Sequence, residues 1–212
     1  MKFQCQAEDL SSSVRACHWF RADSGCGSQL HIAATDHVMV SVTDGSHVAN
    51  LHVDASVDEP GVAVAPYRLA DEFLRSVAGE LSVELRSDGR LSLSAGRDHA
   101  EIATYTSETW PRLKAVEGEQ TEWTVEIVRA LSRVWHAADV SSNRPSFTGI
   151  AVGDGWAAAT DGHRLAAVEV PIPSEPTVLP RQLLRAAIDV ARDQPVLFST
   201  DGLRAWFEVG SS

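Results

Sequence analysis

The sequence predicts an α+β chain of two tandem domains, each with two helices packed on antiparallel sheets. Short β-branched segments that end in Asp-Gly or other glycine-containing turns alternate with amphipathic helical segments. A polar stretch at 112–120 divides the 212 residues into halves that are each long enough to bury a core. We therefore expect one domain at 1–118 and a second at 119–212.

An internal repeat is the strongest evidence for two copies of one fold. Three short segments of the first half recur in the second half in the same order. The pairs are Ala34-Thr35-Asp36 with Ala159-Thr160-Asp161, Pro66-Tyr67-Arg68-Leu69 with Pro180-Arg181-Gln182-Leu183, and Ser87-Asp88-Gly89-Arg90-Leu91 with Ser199-Thr200-Asp201-Gly202-Leu203-Arg204. Three matches in one order are improbable by chance.

The first half is predicted to contain two helices among its strands. The first helix spans 10–22 with Asp9 as its N-cap, and the second spans 67–78, opened by Pro66 and ended by Gly79. The periodicity predicts that the first helix buries Leu10, Val14, Cys17 and Phe20 and that the second buries Leu69, Phe73, Leu74 and Val77. The predicted strands are 1–7, 29–34, 38–42, 48–53, 61–65, 81–86, 90–95 and 99–106.

The second half repeats this pattern with fewer strands. Helices are predicted at 125–140 and 180–192, and strands at 147–152, 156–160, 165–170, 177–179, 196–199 and 203–209. Two strands follow the last helix, where the first half has three. We expect the second domain to lack its last strand, which leaves an edge for another subunit or a partner's strand.

Composition limits the function in several ways. The net charge of −11 argues against nucleic acid unless the basic residues share one face. No apolar stretch is long enough for a bilayer and no signal-peptide core follows Met1, so we expect a cytoplasmic protein. Cys5, Cys17 and Cys26 are too few for a disulfide framework and are expected to be reduced. No residue spacing indicates a metal site or a cofactor.

The cationic residues are almost all arginines, and half of them lie on the helices. Nine of the 18 basic residues occupy outward helix positions. They are Arg15, Arg21, Arg68, Arg75, Arg129, Arg133, Arg181, Arg185 and Arg192. On a shared face these residues would bind the phosphates of duplex DNA without reading the bases. The alternative is a set of solvated helix faces, because acidic residues such as Asp71 and Glu72 lie nearby.

The segment from Ala159 to Ala166 is the candidate binding site. Asp161-Gly162 predicts a tight turn between two strands, beside which His163, Arg164 and Leu165 would line a shallow peptide pocket. The turn alone is equally compatible with an ordinary hairpin. An acid/base pair of Asp161 and His163 lacks a Ser or Cys nucleophile motif, so we do not expect an enzyme.

The segment Ala159 to Ala166 resembles the pocket-forming segment of the bacterial DNA polymerase III β subunit family, the sliding clamps. Further similar segments follow in matching order: Met1-Lys2-Phe3, Ala34 to Met39, Trp110 to Leu113, and Arg144 to Gly149. The resemblance implies two clamp domains of a six-domain ring around duplex DNA, with helices inside and sheets outside. It also implies a pocket for the clamp-binding motifs of DNA polymerases and other proteins, at Phe147, Thr160, Gly162, His163, Arg164 and Leu165.

The sequence departs from that family in its number of domains. Bacterial clamps have three domains in each chain, whereas two are predicted here, so a six-domain ring of this chain alone would be a homotrimer. No counterpart of the domain that completes the pocket in the family is predicted in this sequence. The first hypothesis is a non-catalytic sliding clamp or clamp-like processivity factor. The second is a clamp-derived interaction module or regulator that binds a replication partner without encircling DNA.

Overall fold

The computed structural model describes residues 1–21, 25–111, 120–141, 144–172, 176–191, 194–200 and 205–209. The chain forms two compact units, Met1–Leu113 and Lys114–Ser212. The predicted boundary between residues 118 and 119 lies outside the described residues. No helix of the described part is both long and apolar enough to cross a membrane.

The described residues of unit 1 form two antiparallel sheets and two α-helices. Its helices are α1 (Ala7–Ala16) and α2 (Tyr67–Leu74), which pack against each other. Its strands are β1 (Lys2–Gln6), β2 (Gln29–Ala34), β3 (Val38–Thr43), β4 (Val48–Val53), β5 (Ala55–Glu59), β6 (Gly61–Pro66), β7 (Glu80–Leu85), β8 (Arg90–Ala95) and β9 (Asp98–Ala103). The sheet orders are β5-β1-β7-β8-β9 and β4-β3-β2-β6.

Unit 2 repeats this arrangement. Its helices are α3 (Val125–Ser132), the short α4 (Pro145–Thr148) and α5 (Arg181–Ala191), and α3 packs against α5. Its strands are β10 (Gln120–Trp123), β11 (Gly149–Gly153), β12 (Trp156–Thr160), β13 (Leu165–Glu169), β14 (Thr177–Pro180), β15 (Val196–Thr200) and β16 (Ala205–Val209). The sheets run β13-β12-β11-β14 and β10-β15-β16. The predicted α+β class, with helices on antiparallel sheets in two units, is confirmed.

The smaller sheet of unit 2 contains the counterparts of β1, β7 and β8. Across the residues that the structure describes, no strand of unit 2 corresponds to β9. This is the strand that the sequence predicts to be absent. The predicted Asp201-Gly202 turn between β15 and β16 lies outside the described residues.

Several helix predictions were wrong in their limits or in the face that they bury. α1 begins at Ala7, and its N-cap is Gln6 without a side-chain bond, so Asp9 is not the cap. α2 ends at Leu74, and Leu69 is 50% exposed although it was expected to be buried. The helix turns Tyr67 inward instead, because the Tyr67 hydroxyl donates to the Val14 carbonyl at 2.8 Å. Burying Tyr67 rotates Leu69 to the solvent side.

In unit 2 the helix predicted over 125–140 is shorter than expected. It ends at Ser132, and a 3₁₀ turn follows at Trp135–Ala137. Phe147, predicted to start a strand, belongs to α4, and β11 begins two residues later at Gly149.

The strand pairing also corrects one part of the repeat. β12 and β13 occupy the positions of β3 and β4, so the counterpart of Thr160-Asp161-Gly162 is Thr43-Asp44-Gly45 and not Thr35-Asp36. The two turns share their hydrogen bonds: Thr43 Oγ1 donates to the carbonyl of residue 47 at 2.6 Å, and Thr160 Oγ1 donates to the carbonyl of residue 164 at 2.7 Å. The Pro66 and Pro180 segments do coincide, since each precedes the second major helix of its unit.

A half-buried histidine in unit 1 should make its stability depend on pH. His31 stacks on Trp110 with ring centroids 4.9 Å apart, and its Nδ1 is buried without a hydrogen-bond partner among the described residues. Burial lowers the pKa of His31 below its ordinary value of 6.5. The unfolded chain therefore takes up this proton at a higher pH than the folded chain. We expect this contribution to be complete above pH 6.5 and to be lost as the pH falls below it.

Urea unfolding at pH 7.5 and 5.5 tests the expectation on the wild type and on His31→Asn. The variant should lose less stability between the two pH values, because the residue that binds the extra proton on unfolding is gone. An equal loss in both proteins would contradict the assignment to His31.

Candidate functional site

The turn between β12 and β13 is held by side chains that close on their own backbone. Asp161 Oδ1 accepts the backbone N–H groups of His163 and Arg164, both at 2.9 Å. Thr160 Oγ1 accepts the Gly162 N–H at 3.0 Å. Gly162 adopts a φ of +88°, a conformation that would be strained in a residue with a side chain. The residues around Gly162 are thus fixed in one conformation.

Charge further stabilises this turn. Arg164 Nε lies 2.9 Å from Asp161 Oδ2, and Arg164 Nη2 donates to the His136 carbonyl at 3.0 Å. The backbone N–H groups of His163 and Arg164, followed by the charge of Arg164, hold the pKa of Asp161 below its usual range. Asp161 is therefore ionised at neutral pH, and Arg164 links the turn to the 3₁₀ turn that follows α3.

A cleft of about 270 Å³ opens beside the turn. Its walls are formed by His136, Ala138, Asp139, Val140, Asp161, His163, Arg164 and Arg181. Most of these side chains are polar or charged, so the wall that unit 2 supplies is less apolar than the predicted pocket floor. The apolar part comes from Ala138 and from Val140, which is strongly exposed.

The six predicted peptide-binding residues surround the turn, but only His163 and Arg164 line the cleft. Phe147 lies beneath Gly162, where a Cβ on the glycine would approach its ring to 3.5 Å. Thr160 is engaged in the turn. Leu165 begins the edge strand β13 and is 71% exposed. The structure thus brings the six together around one hairpin, with Leu165 presented to solvent.

Sequence reasoning missed the second wall of the cleft. The sequence pattern predicts His136 and residues 138–140 as part of a helix over 125–140, and Arg181 as one of the DNA-binding arginines. The contact that places them is the Arg164 to His136 hydrogen bond, which joins residues 28 apart in the chain. α3 ends at Ser132 rather than at residue 140, and residues 133–140 then turn toward the hairpin. A prediction of that helix end would have indicated the second wall.

The helix arginines of unit 1 lie on exposed surface but are partly ion-paired. Arg68 Nε is 2.8 Å from Glu72, and Arg75 Nη2 is 2.7 Å from Asp71, each pair being four residues apart on α2. Arg21 lies over the Tyr67 ring at 6.0 Å. Arg15 is exposed near the end of α1. The net positive charge of this helix pair is therefore smaller than the number of its arginines indicates.

Unit 2 divides its arginines between two environments. Arg129 and Arg133 are exposed at the end of α3. Arg181 and Arg185 both lie over the Trp135 ring, at 4.6 and 4.5 Å, and Arg185 also pairs with Asp189 at 3.0 Å. Desolvation, with neighbouring Arg164 and Arg185, lowers the pKa of Arg181. Arg192 lies outside the described residues.

The geometry of Asp161 does not match an acid/base pair. Its carboxylate oxygens bind the backbone of His163 and Arg164 and the Arg164 side chain, rather than the His163 ring. The described residues also contain no group of three or more His, Cys, Asp or Glu side chains that could hold a metal ion. Cys5 and Cys17 are buried free thiols, and burial raises the pKa of each to about 12.

Comparisons with known proteins agree with this fold. No family model matches the chain. The β sliding clamp of Caulobacter vibrioides is 27% identical over 168 residues, which are 73% of this chain and 43% of the clamp. A solved clamp from Caulobacter crescentus has 22% identity and a TM-score of 0.88, and covers 99% of this chain with 63% of its own length. The chain has the fold of the bacterial β sliding clamps.

Other clamps show the same fold at lower identity. The DNA polymerase sliding clamp of Bacillus subtilis has 19% identity and a TM-score of 0.86, and the DNA polymerase III β subunit of Thermotoga maritima has 15% and 0.87. Both cover 99% of this chain with 62% of their own length. The resemblance to β sliding clamps is thereby confirmed in sequence and in fold. The chain spans less than half the length of the curated clamp that it matches.

Proposed function

We propose that this protein is a DNA sliding clamp or clamp-like processivity factor, which encircles duplex DNA and tethers a polymerase or repair enzyme without catalysing a reaction. The observation that carries the proposal is that both units, over 99% of the chain, superpose on DNA polymerase clamps. A soluble cytoplasmic location agrees with this role. Topological linkage to DNA needs little affinity, so a chain of net charge −11 can perform it.

DNA contact is proposed for the arginines on the two helix pairs. Their guanidinium groups suit phosphate oxygens and carry no base specificity. Arg15, Arg129 and Arg133 are exposed enough to meet a backbone that passes the helices. Arg68, Arg75 and Arg185 would have to exchange acidic partners on their own helices for phosphates.

Peptide binding is proposed for the β12–β13 turn and its cleft. One solved clamp from Caulobacter crescentus, with a TM-score of 0.87 to this chain, carries PEG in its putative β-motif tethering region. Gly162, His163, Arg164 and Leu165 offer a rigid backbone corner, a ring, a guanidinium and an exposed aliphatic side chain. This set suits a short peptide with apolar anchors and a polar edge.

Ring formation is part of the proposal. A closed ring of six such units built from this chain alone takes three copies, a homotrimer with cyclic symmetry. Sedimentation equilibrium measures the stoichiometry directly.

The ion pairs of α2 and α5 favour a second candidate, an interaction module or regulator that binds a replication partner and does not encircle DNA. Such pairs weaken the positive field that DNA would meet. Oligomeric state separates the two candidates. A monomer in sedimentation that does not stay on nicked circular DNA would favour the module.

We expect the double substitution Arg129→Ala, Arg133→Ala to weaken retention on DNA in a salt-dependent way. Removing two phosphate contacts should lower the slope of log K against log salt by about 2. Binding of the intact chain to a 30-base-pair duplex, followed by fluorescence anisotropy between 25 and 200 mM NaCl, measures the slope. The matched control is Arg90→Ala, Arg97→Ala, which instead removes two exposed arginines, one at the start of β8 and one in the turn between β8 and β9.

The control should keep the wild-type slope. If the helix variant also keeps it across the whole salt range, the α3 arginines do not contact DNA. If both doubles lose the same amount, the effect is one of net charge and not of a DNA-binding face.

A further inference from the structure

The four-stranded sheets of the two units differ in what covers their outer faces. In unit 1 the segment 104–110 leaves β9 and passes onto the β4-β3-β2-β6 sheet. The Tyr105 N–H donates to the Val64 carbonyl at 2.7 Å, beside the edge strand β6, and Trp110 stacks on His31 at 4.9 Å. Val64, which pairs with Tyr105, and Ser41, which lies opposite His31, are both buried.

The strand register identifies the same row of residues in unit 2. In unit 1 the row across the sheet is Val64, His31, Ser41 and Asn50. In unit 2 it is Val178, Ala151, Ala158 and Ala167. Val178 is 47% exposed where Val64 is 0% exposed, and Ala151 is exposed where His31 is half-buried, whereas Ala167 and its counterpart Asn50 are both exposed. Within the described ranges, nothing covers this row.

The exposed face of unit 2 is also more apolar than its partly covered counterpart in unit 1. Three alanines replace His31, Ser41 and Asn50, and the neighbouring rows add Trp156 and Leu165, both at least half exposed. These three large residues, Trp156, Leu165 and Val178, share the face because cross-strand pairs and alternate residues point to one side. A contiguous apolar sheet face of this kind marks a binding surface.

We propose that this face binds an extended peptide segment that carries an aromatic residue, in the way in which unit 1 is covered by its own segment 104–110. Two features define the partner. β14 is the last strand of the sheet, and no other described strand pairs with its outer edge. The register of Val178 is that of Val64, whose carbonyl accepts the bond from Tyr105. A strand can therefore add along β14 while its aromatic side chain lies on the alanines.

Acidic residues at one end of the face indicate which charge the partner segment should carry. Glu169 is directly opposite Trp156, and exposed Asp154 lies on the turn just before Trp156. The partner segment should therefore carry a basic residue rather than an acidic one near its aromatic anchor. This charge distinguishes the partner from segment 104–110 itself, which contains Glu108.

The probe is a fluorescein-labelled peptide with the sequence of residues 103–111 in which Glu108 is replaced by Lys. Its binding to the intact chain is measured by fluorescence anisotropy in the absence of DNA. Ala167→Asp should weaken binding at least tenfold, since it places a carboxylate on the apolar row. Asn50→Asp, which places the same carboxylate at the equivalent position of unit 1, should stay within twofold of wild type. The same peptide with its Trp replaced by Ala should bind at least tenfold more weakly.

Thermal melts by circular dichroism verify that both variants fold. If Ala167→Asp does not fold, Trp156→Ala takes its place and should weaken binding several-fold, because Trp156 is half exposed and its loss spares the core. Absence of binding to the wild type, or equal binding to Ala167→Asp, overturns the proposal. So does a concentration-dependent dimer in sedimentation that Ala167→Asp abolishes, since the occupant would then be a second copy.

Discussion

Trp123→Ala is expected to destabilise unit 2 by about 3–5 kcal/mol, as is usual when a large buried aromatic side chain is removed. Trp123 is completely buried at the end of β10, and its ring lies 4.5 Å from that of Phe198 and 5.3 Å from that of Phe207. The total stability of a domain is only about 5–15 kcal/mol. Truncation of this one side chain should therefore remove a large share of it.

Calorimetry tests this expectation with two comparisons. Trp156→Ala removes an exposed tryptophan of the same unit and should cost less than about 1 kcal/mol. Trp123→Phe should cost less than Trp123→Ala, because a phenyl ring still fills much of the space and because the Trp123 Nε1 has no hydrogen-bond partner among the described residues. If Trp123→Ala melts as the wild type does, Trp123 does not hold the core together.

The core around Trp123 belongs to unit 2 alone. We therefore expect the melting of unit 1 to be unchanged in Trp123→Ala, and peptide binding at the β12–β13 turn to be lost with unit 2.

Strands with clear alternation and turn residues could be predicted from the sequence. β2, β4, β8 and β12 have the limits that the pattern gave. β5 and β10 were missed, because Ala55–Glu59 and Gln120–Trp123 contain few apolar residues. β10 is a strand because it pairs with β15, more than 70 residues further along the chain. A pattern of neighbouring residues does not reveal so distant a partner.

Tertiary contacts also decided which helix faces are buried. On α2 the apolar Leu69 is exposed while Asp71 is buried, because Asp71 pairs with Arg75 and Tyr67 bonds to α1. The repeat was misaligned at one point for a related reason. Thr35-Asp36 and Thr160-Asp161 share letters, but the strand order assigns them to different hairpins.

Only one of the two walls of the candidate site could be predicted from the sequence. The Asp161-Gly162 turn follows from local residue preferences, and its hydrogen bonds are local. The second wall depends on where α3 ends and on the bond from Arg164 to a carbonyl 28 residues away. The assignment of site residues remains a prediction, which binding measurements decide.

Leu165→Ala is expected to weaken the binding of a polymerase-derived clamp-binding peptide by roughly 1 to 3 kcal/mol, or about 5- to 150-fold in Kd. Leu165 follows the turn directly and is 71% exposed, so a partner that covers it buries apolar surface that folding has left free. For the same reason the truncation should change the free energy of unfolding very little. Loss of affinity without loss of stability is therefore the signature of a contact residue.

Isothermal titration with the wild type and with Leu165→Ala measures the difference. Leu69→Ala is the matched control, because Leu69 is a leucine of comparable exposure that belongs to unit 1. Its Kd should equal that of the wild type. If Leu165→Ala also binds with wild-type affinity, Leu165 makes no contact with the peptide. The β12–β13 turn is then a structural hairpin like Thr43-Asp44-Gly45, whose hydrogen bonds it shares.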